Sequence, residues 1–235
     1  AALASARMRL KTVMITFNAK NIAFMSCNPA VGGLAKGHIV REIDSLGGEM
    51  GVNTDKSTIQ FRRLNTRKGP AVRASRSQCD KALYSEFMAE VIFNTQNLSV
   101  REAEVKGLIV KDQVCQGVVI DDGAEVFANA TIITAGTFMN GVMHVGLEQS
   151  AGGRVGDRVS RGLSDNLREL GFKVTRLKTG TPARLHKDSI DWSKTTPQPG
   201  DDVFYPFSRK TKGLRLPQVS CYLSYTNDAT HEIIR

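Results

Sequence analysis

Apolar positions along the chain alternate between two periods. Residues 1–9 are alanine-rich and read as helix, and 11–17 form a short apolar run of the kind buried in a parallel sheet. Residues 38–46 place Ile39, Val40, Ile43 and Leu46 at helical spacing and stop at Gly47-Gly48. Helical spacing returns over 77–94, with Leu83, Phe87, Met88 and Val91 on one side, and 98–103 reads as another strand. Three short strands follow at 105–110, 114–121 and 124–128, with turns at Lys111-Asp112 and Asp122-Gly123. Asp-Gly after an alternating run is a hairpin signal. An apolar strand over 131–137 ends in Ala-Gly-Thr, and an amphipathic helix runs on from the glycine-rich stretch 151–157 to Leu170. Past Gly171 the chain becomes polar and proline-bearing as far as Pro217, and 219–226 reads as one more strand.

Helix followed by buried strand is the second half of a βαβ unit. A three-strand meander placed before an Ala-Gly strand is a habit of flavoproteins with two dinucleotide sites. The fold expected is therefore α/β: a Rossmann-like FAD-binding fold of the glutathione-reductase type with a β-meander over 1–172, then the start of an inserted α/β domain over 173–235. A glycine fingerprint would fall before Ala1, and the acidic residue that usually ends the second strand is replaced by Phe17-Asn18. The alanine-rich opening reads as the middle of a helix and the far end as an uncapped stop, so the sequence is expected to be a fragment at both ends.

Composition narrows the class. The hydrophobic fraction of 41% supports a folded core, and no apolar run approaches the roughly 18 residues of a membrane span. Thirty-two Lys and Arg against twenty-three Asp and Glu give a net +9, which favours a polyanionic partner. Four scattered cysteines (27, 79, 115, 221) form no CxxC and no His/Cys cluster. That excludes a structural zinc site and a secreted disulfide scaffold, leaves no metal expected, and places the chain in a reducing cytoplasm or an organelle matrix.

Two stretches carry candidate chemistry. Residues 26–38, Ser-Cys-Asn-Pro-Ala-Val-Gly-Gly-Leu-Ala-Lys-Gly-His, put Cys27 on a proline turn with Gly32 and Gly33 beyond it. The thiol reads either as a small buried hydrophobe or as a reactive group beside Lys36, His38 and a helix amino terminus. Residues 60–76 read as a loop with six Arg and Lys, shaped by Gly69-Pro70. Either they form a solvated face, or Lys36, Arg67, Lys68, Arg73 and Arg76 grip phosphates.

The motifs at 26–38, 68–76 (Lys-Gly-Pro-Ala-Val-Arg-Ala-Ser-Arg), 152–157 (Gly-Gly-Arg-Val-Gly-Asp), 176–184 (Arg-Leu-Lys-Thr-Gly-Thr-Pro-Ala-Arg) and 221–227 (Cys-Tyr-Leu-Ser-Tyr-Thr-Asn) run in order along the whole chain and resemble the GidA/MnmG family. The resemblance implies an FAD-dependent enzyme that adds a carboxymethylaminomethyl group to carbon 5 of the wobble uridine of tRNA. It implies NADH and methylene-tetrahydrofolate as co-substrates, a GTPase partner of the MnmE/TrmE type, a homodimer, no membrane, and a cytoplasmic home (mitochondrial in a eukaryote). Cys27 then matches one of two catalytic cysteines, Val105 and Ser160 match flavin contacts, and Ala135, Gly136 and Thr137 lie beside the cofactor. Gly32 and Gly33 give room for flavin and nucleobase. The family's glycine fingerprint, second cysteine, NAD-contacting stretch and helical carboxy-terminal domain lie outside these residues. The chain departs from the family at Ala151, where serine is frequent, and at Asp157-Arg158-Val159-Ser160, where the family has Asp-Pro-Pro-Ser.

Carbon 5 of uracil becomes nucleophilic when a thiolate adds to the neighbouring ring carbon, and Cys27 suits either that role or proton transfer to the base. Other readings are an FAD-dependent oxidoreductase of a small molecule, whose arginines serve only the cofactor pyrophosphate, a relative of the folate- and FAD-dependent tRNA uracil methyltransferases, and a non-enzymatic scaffold.

Overall fold

The computed structural model describes residues 1–235. In chain order the elements are α1 (Ala2–Arg7), β1 (Thr12–Thr16), β2 (Ala30–Gly32), α2 (Lys36–Ser45), α3 (Met50–Ser57), β3 (Thr58–Leu64), β4 (Ala74–Cys79), α4 (Lys81–Phe93) and β5 (Leu98–Glu102). There follow β6 (Val105–Lys111), β7 (Val114–Ile120), β8 (Glu125–Phe127), β9 (Val142–Val145), β10 (Glu148–Ala151), α5 (Leu163–Glu169), β11 (Thr196–Gln198), β12 (Cys221–Leu223) and α6 (Asp228–Ile234). No helix is long and apolar enough to cross a membrane.

Two compact units are interleaved along the chain, Ala1–Ile22 with Ala89–Gly180 and Ala23–Met88 with Thr181–Arg235. This division differs from the expected boundary at 172/173. Residues 181–235 group with the second unit because they bond to its strands. Asp201 accepts from the backbone N–H of Arg63 at 2.6 Å, Gln60 donates to the carbonyl of Gln198 at 2.8 Å, and the N–H of Val219 reaches Ile59 at 2.7 Å.

In the first unit β1 and β5 pair in parallel, from Thr12↔Leu98 to Thr16↔Glu102, as the apolar runs required. The meander forms as expected, with β6, β7 and β8 antiparallel in sequence order. Its first turn is Asp112-Gln113, both left-handed with φ of 51° and 61°, the backbone of a type I′ hairpin. Glycine carries no Cβ cost there, so Gln113→Gly should raise stability by about 0.5–1 kcal/mol, read as a higher urea midpoint at unchanged m-value. The expected strand over 131–137 is a correction. It joins no sheet, and Ile132 is 63% exposed. Apolar content alone does not make a strand; a ladder needs a neighbour, and no strand here pairs with it.

The second unit holds the antiparallel sheet β2–β4–β3. The loop expected over 60–76 is instead β3, a turn and β4, with Arg62 opposite Arg76. The helix expected from 77 begins at Lys81, because Ser75, Ser77 and Cys79 are buried on alternate positions of β4. Asp80 caps α4 by accepting from the N–H groups of Ala82 and Leu83 at 2.9 and 3.0 Å. On α2 the buried side is Gly37 and Val40, while Ile39, Ile43 and Leu46 face outward. α3 escaped the apolar pattern because the residues it buries include Asn53, Thr54, Asp55 and Ser57. The core joins Val31, Val40, Cys79, Tyr84 and Phe207.

Candidate functional site

The residues singled out from sequence divide between the two units. In the first, Ala135, Gly136 and Thr137 lead into a turn in which the N–H of Phe138 reaches the Ala135 carbonyl at 3.3 Å. Ser160 is buried and closes on the same turn: its N–H donates to Phe138 at 2.9 Å, and its carbonyl accepts from the N–H of Asn140 at 2.8 Å. The Thr137 hydroxyl donates to the Gly153 carbonyl at 3.1 Å, tying in the glycine-rich loop. Within that loop Arg154 pairs with Asp157 and lies 5.9 Å over the Phe138 ring. Val105 opens β6 next to Glu104, a nearly buried carboxylate that accepts from the N–H of Arg161 at 2.9 Å and pairs with Lys106 at 2.8 Å. Glu104 thus links the start of the meander to the residue after Ser160. Sequence reading missed it, because a single acid before a strand carries no signal of burial. Asn18, the residue where an acid was sought, caps a helical turn by accepting from the N–H of Lys20 at 2.8 Å.

These residues fit a flat, anionic dinucleotide. A Cβ built on Gly136, at φ 59°, meets nothing nearer than the Phe138 ring at 3.8 Å. One on Gly156, at φ 83°, meets nothing within 4 Å. Both leave backbone open to close approach.

In the second unit Cys27 is half-buried and free, on the turn before β2. The Arg184 guanidinium clasps this turn by donating to the carbonyls of Ser26 at 3.1 Å and Cys27 at 2.9 Å. That contact joins two of the motifs, 26–38 and 176–184, across most of the chain. It could not be read from spacing. The loop is held from the other side as well: the Cys79 N–H reaches the Pro29 carbonyl at 2.7 Å, and Val31 is fully buried.

Gly32 serves packing. At φ 100° its missing Cβ would stand 2.1 Å from the Ser75 carbonyl oxygen and 2.7 Å from the Phe207 ring. Gly33, at φ 95°, faces open space. Lys36 donates to the Ala30 carbonyl at 3.2 Å and so braces its own loop. Among the other basic candidates, Arg67, Lys68 and Arg73 sit exposed on one turn, where Arg73 donates to the Lys68 carbonyl at 3.0 Å. Arg76 is apart from them on β4, half-buried opposite Gly32. The thiols differ. Burial pushes Cys79 up to about 11, and Cys221 donates to Gln60 at 3.0 Å, whereas the Cys27 thiol is uncommitted.

A parallel strand pair with flanking helices, a meander and a glycine-lined turn define a mixed α/β protein of the Rossmann-like, dinucleotide-binding class. The model of one such family, glucose inhibited division protein A, matches residues 1–235. The chain belongs to the GidA family. It is 62% identical over its whole length to the tRNA uridine 5-carboxymethylaminomethyl modification enzyme MnmG of Bdellovibrio bacteriovorus, and 57% identical to that of Geobacter sulfurreducens. It spans 37% and 38% of those two proteins. The crystal structure of Aquifex aeolicus GidA superposes with a TM-score of 0.93 at 48% identity, over 99% of this chain and 40% of that one.

Proposed function

We propose that this chain is the part of a flavin-dependent tRNA-modifying enzyme that presents the catalytic thiol and one wall of the FAD site. The observation that carries the reading is the Arg184 clasp. It fixes the main chain of a half-exposed cysteine with a residue of a second family motif. The Ala135–Thr137 turn, Val105 and Ser160 would hold FAD, which supplies hydride chemistry when bound. Cys27 would add as thiolate to carbon 6 of the uracil ring, leaving enolate character at carbon 5, or would move a proton at the base. Arg184 orients the thiol in either role by pinning its carbonyl. Arg67, Lys68 and Arg73, exposed on one turn, would meet tRNA phosphates, with Lys36 and Arg76 as further candidates. NADH and methylene-tetrahydrofolate as co-substrates, a GTPase partner, a homodimer and a cytoplasmic location complete the reading and rest on the family.

An oxidoreductase of a small molecule is the reading to separate. The full chain is incubated with FAD, desalted, and titrated with a tRNA transcript at several salt concentrations. Retained flavin absorbance is expected, together with tRNA affinity that falls steeply as salt rises, because each phosphate contact adds roughly 0.7–0.9 to the logarithmic slope. Flavin uptake without salt-sensitive tRNA binding would turn the assignment to the small-molecule oxidoreductase. Absence of both would leave a scaffold.

A further inference from the structure

The second unit contains a cavity of about 520 Å3 between α3 and the segment 210–215, well away in sequence from the cysteine loop. Four of its lining residues are cations, Lys56 from α3 and Lys210, Lys212 and Arg215 from the segment. Val52 and Leu214 add apolar wall, and no carboxylate lines it. None of the four cations is in an ion pair. Asp55, which precedes Lys56 on α3, is fully buried and already occupied by the N–H groups of Phe207 and Ser208, each at 2.9 Å, and by the Thr211 hydroxyl. Those bonds fix the start of the segment, and buried Ser208 accepts from the N–H groups of Lys210 and Thr211 at 3.3 and 3.2 Å. Three of the cations therefore stand on an anchored turn, and Lys56 meets them from the helix. Like charges gathered around one hollow with no counter-charge cost energy until an anion enters. The hollow is of ordinary ligand size.

We propose that this cavity is a phosphate-binding site, and that its phosphates come from the sugar-phosphate backbone of RNA. The choice of RNA rests on the tRNA reading above; the choice of phosphate rests on the cavity alone. Lysines supply point charges, and Arg215 adds a planar fork that suits phosphate oxygens.

The test uses the full chain and its Lys210→Gln/Lys212→Gln/Arg215→Gln variant, whose altered side chains are exposed, so an unchanged melting curve is expected. A labelled tRNA transcript should bind the variant about tenfold more weakly at fixed low salt, and the logarithmic salt slope should fall by about 2. Inorganic pyrophosphate, followed by calorimetry, should bind the parent and not the variant. If the triple variant melts early, each single substitution should still lower the slope by about 0.7–0.9. Equal tRNA affinity and slope in parent and variant, with no pyrophosphate binding by the parent, overturn the site while leaving the tRNA reading standing. Pyrophosphate binding that the variant loses, in a parent that ignores tRNA, keeps the phosphate site and overturns RNA as its source.

Discussion

Exchanged for its counterpart in the 62% identical Bdellovibrio relative, this segment should support wobble-uridine modification, and Cys27→Ser in that chimera should lower the rate by roughly 10^3-fold or more. A serine hydroxyl keeps the size and the hydrogen-bonding capacity of the site but is not ionised near neutral pH, so it can neither add to the pyrimidine ring nor exchange a proton as a thiolate does. No neighbouring thiol can substitute. Cys79 is held protonated by burial at about 11, and Cys221 is engaged with Gln60. The loop itself should survive the change. Its conformation depends on Arg184 bonding to main-chain carbonyls, on Val31 in the core and on Gly32 against β4, none of which involves the sulfur. FAD uptake should likewise be unchanged, since the residues assigned to the cofactor stand in the other unit. The measurement is the modified-nucleoside content of tRNA after digestion, beside the flavin absorbance of the same preparation. Full modification by the serine variant would remove Cys27 from the chemistry. Loss of flavin together with activity would give it a structural role instead.

What could be read in advance followed the physics of each signal. β1, β5 and the meander were legible because buried parallel strands and tight hairpins leave marks within a few residues, an apolar run or an Asp-Gly pair. β3 and β4 were not, because six basic residues over 60–76 outweighed the alternation in Phe61, Ser75, Ser77 and Cys79. α3 was hidden for the same reason in reverse. Its polar residues are satisfied inside the unit: Asn53 donates to the Tyr84 carbonyl at 2.8 Å, and Ser57 to Asn53 at 2.9 Å. Cys27 and the glycine loops could be picked out by residue type and by resemblance. Glu104 and Arg184 could not, since their partners are 57 and 157 positions distant in the chain. The conformational freedom of Gly32 is legible in its residue type, whereas its close approach to Ser75 and Phe207 is not, since both are distant in the chain.

Asp55→Ala should cost about 3–4 kcal/mol of stability, a large effect for a single side chain. Its carboxylate is fully buried and accepts from Phe207, Ser208 and Thr211. Truncation leaves two buried backbone N–H groups with no partner, each worth roughly 1–3 kcal/mol, and a hole beneath the segment that carries Phe207 into the core. Part of that loss is offset, because burying the charge is itself unfavourable. Desolvation outweighs the three hydrogen bonds and raises the carboxyl above its ordinary 3.8. The sign of the pH dependence follows. A group whose affinity for its proton is greater in the folded state contributes most below 3.8, and the contribution is lost as pH rises through the raised value. Asp55→Asn removes that titration and leaves every other carboxylate in place. The stability gap between parent and Asp55→Asn should therefore be widest in acid and narrow as pH climbs, while Asp55→Ala stays well below the parent throughout. Urea midpoints at matched pH values measure both. A gap that widened with pH would mean that the hydrogen bonds prevail over desolvation, and an Asp55→Ala loss under about 1 kcal/mol would mean that the 207–208 segment is held by something else. Because Phe207 shares one core cluster with Val31 and stands beside Gly32, the same substitution should loosen the floor under the Cys27 turn, which couples the most buried charge of this unit to the thiol that its surface presents.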